Sequence, residues 1–178
     1  YRPHRLGLGL KIRPRHRRSG LYAQAGRRHL RRIALGMHMV LAADLRQNRL
    51  LAALPDAEWA RWLSHLEPVY LPLGKVLYES GIKLAYVYFP TTAIISLLYV
   101  MENGGTAEIG IAGNNGLVGV ALFMGGETTS SRAIVQSGGQ AVRMLGADLT
   151  GEFKRAGIFH DIMLRFTQAL MTQISQTA

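Results

Sequence analysis

A change of sequence period along the chain limits its possible folds more than any other feature. Residues 69–145 consist of short apolar runs separated by turns, and 15 of the 20 glycines lie between Gly74 and Gly157. Many short strands at regular spacing are typical of a sandwich or barrel, and a jelly roll is one closed form of it. We therefore predict seven strands, at residues 69–71, 76–78, 85–89, 93–100, 106–111, 132–136 and 140–145.

Helical periods flank this β region. Residues 44–66 fit two short amphipathic helices separated at Pro55-Asp56, with Trp59 and Trp62 on one face. After Gly157, apolar residues recur every three or four positions and predict a long helix with an apolar stripe. We expect the stripe to pack on its own barrel, on a twin helix in a dimer, or on both. Its residues are assigned to a dimer interface: Phe159, Met163, Phe166, Leu170 and Ile174.

Positive charge is concentrated at the front of the chain. Residues 1–36 contain 11 Lys and Arg and no Asp or Glu, whereas the remaining residues carry a net charge of −1, which together give +10. This segment lacks helical or strand periodicity and is predicted to be a disordered extension. It is either a basic arm for nucleic acid or an upstream extension. The second is favoured because the chain begins with Tyr1 and no aromatic stacking pattern accompanies the charge.

Composition excludes several classes of function. Without cysteine the chain cannot form disulfides, thiolate metal sites or iron–sulfur clusters. The sequence shows no Ser/His/Asp order, no His-x-His pair and no close pair of carboxylates, so we predict neither an enzyme nor a metal site. No apolar run reaches the length of a membrane span, and we expect a cytoplasmic protein without membrane partners.

The segment 113–135, GNNGLVGVALFMGGETTSSRAIV, carries the strongest functional signal. Backbone amides beside turn glycines, with an arginine nearby, suit a phosphate or another anion. The predicted order is a strand, a glycine turn, a short helix, a loop and an arginine-containing strand. On its residues alone the segment is a candidate phosphate cradle.

Residues 48–178 resemble the sensor half of the Crp/Fnr family of bacterial transcription regulators. The motifs are LPLGKVLYESGIKLAYVYFP from Leu71, GNNGLVGVALFMGG from Gly113 and the helical HDIMLRFTQALMTQISQTA from His160. The resemblance implies a mainly β fold: a double-stranded β-helix (jelly roll) of cyclic nucleotide-binding-domain type, followed by a long dimerisation helix. It divides the chain into a basic extension (1–36), a β-roll domain with N-terminal helices (44–157) and the start of the dimerisation helix (158–178).

The resemblance also implies partners. A homodimer would form through the C-terminal helix, and DNA would be bound by a helix-turn-helix module that follows that helix in the family. The sequence ends before such a module begins, so we expect a sensor and dimerisation portion of a longer regulator. The alternative is a stand-alone, ligand-free dimeric β-roll that serves as an interaction domain.

Cyclic nucleotide-binding members of the family use a Glu on the ribose and an Arg on the cyclic phosphate. Here these positions fall on Val120 and Ser131, and Arg132 is one residue late, on the opposite face of the strand. A length change in the loop 125–130 could restore Arg132, and Glu127 could replace the lost carboxylate. We expect a degenerate pocket, no cofactor, and weak or absent binding of cyclic nucleotides. The candidate effector-binding residues are Gly119, Val120, Ala121, Ser131, Arg132, Ala133 and Thr177.

Overall fold

The computed structural model describes residues 45–126 and 128–177. Within these residues the chain forms seven strands and four α-helices, with a 3₁₀ helix at Val120–Leu122. The strands are β1 (Glu67–Leu71), β2 (Val76–Tyr78), β3 (Tyr86–Pro90), β4 (Ile94–Val100), β5 (Thr106–Ala112), β6 (Ser131–Ser137) and β7 (Gly139–Leu145). The helices are α1 (Arg49–Ala52), α2 (Asp56–Trp62), α3 (Gly146–Lys154) and α4 (Ile158–Thr177).

The strands form two antiparallel sheets in a roll. One sheet has the order β1-β7-β3 and the other β2-β6-β4-β5. An isolated bridge between Tyr88 and Val118 joins the first sheet to residues 113–119, which we call the glycine turn. Each predicted strand has its counterpart in the structure, because alternating apolar residues bounded by glycine turns specify both strand and register. The predicted mainly β fold is confirmed.

Two apolar clusters stabilise the domain, one on each face of the first sheet. The roll core lies inside the β-roll and includes Leu71, Tyr88, Ile95, Ala133 and Val135. The helical core includes Val87 and Phe89, which alternate with Tyr88 along β3 and therefore point to the other side of the sheet. Strand β3 thus contributes to both clusters, which explains its near-continuous burial.

Trp62 lies at the centre of the helical core. Its side chain is fully buried and makes edge-on contacts with Phe159 at 4.3 Å and Phe89 at 6.4 Å between ring centroids. The indole Nε1–H donates a 3.2 Å hydrogen bond to Glu152. The predicted packing of the tryptophan pair on the domain body agrees with this arrangement, since Trp59 is also buried.

Helix α3 has no counterpart in the sequence predictions. It begins after Leu145 without a side-chain cap and contains Gly146 and Gly151, so the usual start signals and propensities are missing. Its burial of Leu149 in the helical core, next to β7, supplies the stabilisation that the local sequence lacks.

The apolar stripe of α4 packs against its own domain. Phe159 and Met163 are buried in the helical core, Phe166 packs on that core, and Leu170 packs on the roll core. The assignment of Phe159 and Met163 to a dimer interface therefore needs correction, because side chains buried within one chain are not available to a partner. Ile174 is half-buried. Dimerisation itself stays a prediction.

The predicted basic extension, residues 1–36, lies outside the described residues. Among the residues that are described, no helix is long and apolar enough to cross a membrane.

Candidate functional site

The glycine turn that carried the strongest signal in the sequence is held against β3. Tyr88 and Val118 exchange two backbone hydrogen bonds of 2.9 and 2.8 Å. Gly119 follows with φ of 113°, and a Cβ at this position would lie 3.3 Å from the carbonyl oxygen of Tyr86. Only glycine fits this combination of left-handed backbone and close approach. The turn then leads directly into the 3₁₀ helix at Val120–Leu122.

Asn48 connects helix α1 to the same turn by hydrogen bonds, a role that was not predicted from the sequence. Its buried Nδ2 donates to the carbonyl oxygens of Pro90 (2.8 Å) and Gly116 (2.9 Å). Its Oδ1 accepts from the amides of Leu50 and Leu51, which caps α1. An asparagine directly before a helical pattern is the sequence signal for such a cap. The long-range bonds to the turn have no local signal.

A partly open cavity of about 170 Å³ lies between this turn, the second sheet and helix α4. Gly119, Val120, Ala121 and Ser131, four of the seven predicted effector residues, line it. No charged side chain is among the described residues around it. The full lining is Tyr78, Leu84, Leu97, Ile109, Leu117, Gly119, Val120, Ala121, Thr129, Ser130, Ser131, Leu170 and Ile174.

The hydroxyl residues Tyr78, Thr129, Ser130 and Ser131 form the polar end of this cavity. The Oγ atoms of Thr129 and Ser131 lie 3.0 Å apart, and either one can be the donor. Tyr78 lines the same end of the cavity, and burial of its phenol raises the pKa of Tyr78 above its ordinary value, an effect that the Ser131 hydroxyl opposes in part. Ser131 is 8% exposed, whereas Tyr78 and Thr129 are half-buried. Sequence analysis identified Ser131 but neither Tyr78 nor Thr129.

Arg132 points away from the cavity. Burial alternates along β6, with Ser131, Ala133 and Val135 buried and Arg132 and Ile134 half-exposed. The Nε atom of Arg132 lies 3.2 Å from Oε2 of Glu79 in an ion pair without hydrogen-bond geometry. The two-residue period of a strand therefore separates this guanidinium from Ser131.

The remaining predicted site residues fall in other places. Ala133 is fully buried in the roll core and does not line the cavity. Glu127, the alternative carboxylate, lies outside the described residues, as does the side chain of Thr177. Helix α4 contributes Leu170 and Ile174 instead, so two residues predicted for a dimer interface form part of the cavity wall.

A second polar cluster lies on the first sheet. Arg143 donates two hydrogen bonds to the carboxylate of Glu67, of 2.9 and 2.8 Å, and its guanidinium lies 4.5 Å from the ring centroid of Tyr86. The hydrogen bond from Arg143 lowers the pKa of Glu67. The guanidinium is thus already paired with a carboxylate and an aromatic ring, and it does not offer an unneutralised charge to an anion.

Two further observations concern other kinds of site. A larger hollow of about 860 Å³ lies between α3, the 3₁₀ helix and Leu84, but it is an open and mainly apolar groove away from Ser131. Within residues 45–126 and 128–177, no three His, Asp or Glu side chains are grouped as a metal ion would require.

Comparison with known proteins gives structural neighbours only. No family model matches the sequence, and no curated protein matches it. The N-terminal domain of a transcriptional regulator from Streptomyces coelicolor matches with a TM-score of 0.54 at 19% identity, over 75% of this chain and 93% of that one. The sensor domain of the transcriptional regulator DNR from Pseudomonas aeruginosa matches with a TM-score of 0.58 at 15% identity, over 79% and 92%.

This chain has the cyclic nucleotide-binding-domain fold. The regulatory subunit of a cAMP-independent protein kinase A from Trypanosoma brucei also matches, with a TM-score of 0.64 at 12% identity, over 76% of this chain and 48% of that one. At such identities the likeness establishes the fold and leaves the ligand open. The neighbours are binding and regulatory domains, and they include sensor domains of transcriptional regulators.

Proposed function

We propose that this chain is the sensor and dimerisation portion of a Crp/Fnr-type transcription regulator whose cyclic nucleotide pocket is degenerate. In such a regulator, a DNA-reading helix-turn-helix would follow α4, and the protein would act as a homodimer in the cytoplasm. The observation that carries the proposal is the cavity beside Gly119 and Ser131, which is lined in part by the segment that resembles the family's nucleotide-binding motif and contains hydroxyls in place of charges.

The structural neighbours support the regulatory part of the proposal. Two of them are the sensor or N-terminal domain of a transcriptional regulator, and the match spans 93% and 92% of those domains. A match over nearly a whole sensor domain is the result expected if this chain performs the same part of a regulator.

The geometry of the pocket supports the degeneracy. A cyclic phosphate carries one negative charge, and removing it from water is costly unless a cation or several donors replace the solvent. Arg132 is paired with Glu79 on the other face of β6, and Val120 has no acceptor for a ribose hydroxyl. A cyclic nucleotide would therefore lose its hydration without gaining either of its usual charged partners.

Calorimetry with cyclic AMP and cyclic GMP tests the pocket. The natural chain should show no binding tighter than about 1 mM, where the free energy of binding is only ~4 kcal/mol. The matched variant Val120→Glu with Ser131→Arg restores both charged partners and should bind more tightly than the natural chain. Micromolar binding to the natural chain would contradict the proposal.

The regulatory role is tested on the complete gene product. The reading frame that contains this chain should encode a helix-turn-helix within several dozen residues after Ala178, and the full product should select a specific DNA sequence from a random pool. A stop codon directly after Ala178, or a full product that selects no sequence, would favour the stand-alone interaction domain instead.

A further inference from the structure

We infer that the cavity between Ser131 and helix α4 binds an uncharged molecule of about the size of benzene, with an apolar body and a single hydrogen-bonding group. This inference rests on the proposed sensor function and names the class of effector. It follows from four properties of the cavity: its volume, its charge, the arrangement of its hydroxyls and the element that closes it.

The volume limits the size of the ligand. The cavity measures about 170 Å³. An apolar protein cavity of roughly 150 Å³ is known to bind benzene, whereas sites for drug-sized ligands occupy roughly 300–1,000 Å³. A single six-membered ring with one substituent therefore fits within this volume.

The lining limits the charge of the ligand. Leu97, Leu117 and Leu170 form apolar walls, and no described lining residue carries a charge. An anion would find hydroxyl and amide donors but no cationic side chain, and a cation would find no carboxylate among the described lining residues. Because an unpaired charge is costly to bury, a charged ligand would bind less tightly than its neutral counterpart.

The hydroxyls supply one polar contact point. Ser131 Oγ lies 3.0 Å from Oγ1 of Thr129, and either atom can be the donor in this bond. By rotating its protons, such a group can donate to a carbonyl or accept from a hydroxyl of the ligand. A ligand without a group that can donate or accept would leave the hydroxyls at this end of the cavity without a hydrogen bond to the ligand.

Helix α4 is the element that would respond to a ligand bound in the cavity. Leu170 and Ile174 line the cavity, while Phe159 and Met163 at the start of the same helix are buried in the helical core. A ligand in the cavity therefore contacts the half of α4 that is less firmly packed. In the proposed regulator this half lies next to the DNA-reading module.

Three benzenes with a single substituent test the inference on the complete 178-residue chain: benzyl alcohol, toluene and benzoate. Dissociation constants are measured by NMR titration. We expect benzyl alcohol to bind at least fivefold more tightly than toluene, because it adds one hydrogen bond, and at least tenfold more tightly than benzoate. The shifted resonances should include those of Ser131, Leu170 and Ile174.

Variants of matched chemistry assign the contacts. Ser131→Ala should weaken the binding of benzyl alcohol about fivefold to tenfold and leave toluene unchanged, since only the alcohol uses the hydroxyl. Leu170→Ala should weaken both compounds. Ser137→Ala changes an exposed serine at the end of the same strand and should alter neither.

Three outcomes would overturn the inference: benzoate binding as tightly as benzyl alcohol, no binding of any of the three compounds, or equal effects of Ser131→Ala on alcohol and toluene. None of these outcomes contradicts the proposed function. That proposal is contradicted instead if the natural chain binds a cyclic nucleotide at micromolar concentration, or if no helix-turn-helix follows α4. The two failures are thus distinguishable.

Discussion

At the scale of single residues, the chemistry of the site depends on which way each side chain of β6 points. Ser131 faces the cavity and Arg132 faces Glu79, although they are neighbours in the chain. The hydroxyl of Ser131 hydrogen-bonds Thr129, two residues earlier in the chain, and lies in the same cavity wall as Tyr78 of β2. The polar end of the cavity therefore combines two segments that are distant in sequence.

The buried phenol of Tyr78 makes the stability of the domain sensitive to alkali. Burial raises its pKa in the folded state above the ordinary value for tyrosine, and the nearby Ser131 hydroxyl opposes this only in part. A raised pKa means that the contribution to stability is full below the unfolded value and is lost as the pH rises through the folded one. The free energy of unfolding should fall less steeply above about pH 10 in Tyr78→Phe than in the natural chain.

Urea unfolding between about pH 8 and 11 checks this expectation. Tyr70→Phe is the matched control, since Tyr70 is 59% exposed and lies outside the cavity. Identical pH profiles for the natural chain and Tyr78→Phe would show that the phenol does not titrate as its burial requires.

Trp62 is the residue on which the helical core most depends. Trp62→Ala would remove the contacts with Phe89 and Phe159 and leave Glu152 without its indole donor. Substitution of a large buried aromatic residue by alanine costs roughly 3–5 kcal/mol of unfolding free energy. Urea denaturation should show a loss in this range. Met124→Ala, at a side chain that is 51% exposed, should change stability by less than about 0.5 kcal/mol.

At the scale of elements, close approaches between segments decide where glycine is required. Gly139 begins β7, and a Cβ there would lie 2.6 Å from the amide nitrogen of Ala93. Gly151 lies inside helix α3, and a Cβ there would meet no atom within 4 Å. The same substitution should therefore have opposite effects at the two positions.

Gly139→Ala should destabilise the domain by more than about 1 kcal/mol, because two backbone segments must separate to accept the methyl group. Gly151→Ala should stabilise it by roughly 0.5–1 kcal/mol, because alanine loses less backbone entropy in a helix. Thermal unfolding followed by circular dichroism compares the two variants with the natural chain. A tolerated Gly139→Ala would mean that the junction between β7 and Ala93 is looser than the structure indicates.

At the scale of the whole molecule, helix α4 has one face for its own domain and one face left for a partner. The exposed face carries Leu164 (46% exposed) and Met171 (57% exposed), with Gln168 between them and Ser175 beyond. Their spacing of four, three and four residues is that of a coiled-coil seam. The predicted homodimer should therefore use this seam, while Phe159 and Met163 stay within each chain.

Sedimentation tests this form of the dimer. The chain should be dimeric at tens of micromolar, and Leu164→Glu with Met171→Glu should make it monomeric without loss of folding, because like charges would face each other across the seam. Leu73→Glu changes a leucine that is 73% exposed away from α4 and should leave the dimer intact. A natural chain that sediments as a monomer would remove the dimer from the proposal.

Local patterns were sufficient to predict the fold but only part of the site. Alternation and glycine turns predicted the strands, and the period after Gly157 predicted α4, because these signals depend on neighbours in the chain. Helix α3 was not predicted, because it is stabilised by burial of Leu149 rather than by the helix propensity of its own residues. The hydrogen bonds of Asn48 and the position of Tyr78 beside Ser131 were not predicted because these partners are distant in sequence. The bond of Thr129 to Ser131 is local, and no motif in the sequence marks it.

The sequence by itself determined that the chain forms a β-roll flanked by helices, because periodicity and turn residues act over a few positions. The tertiary structure decided what the segment 113–135 can hold. It brought hydroxyls from β2, β6 and the loop before β6 together with Leu170 and Ile174 of α4. It also paired Arg132 with Glu79 on the far face of the strand. The physical reason is that the charge and volume of a cavity depend on side chains brought together by folding, which no single stretch of sequence contains.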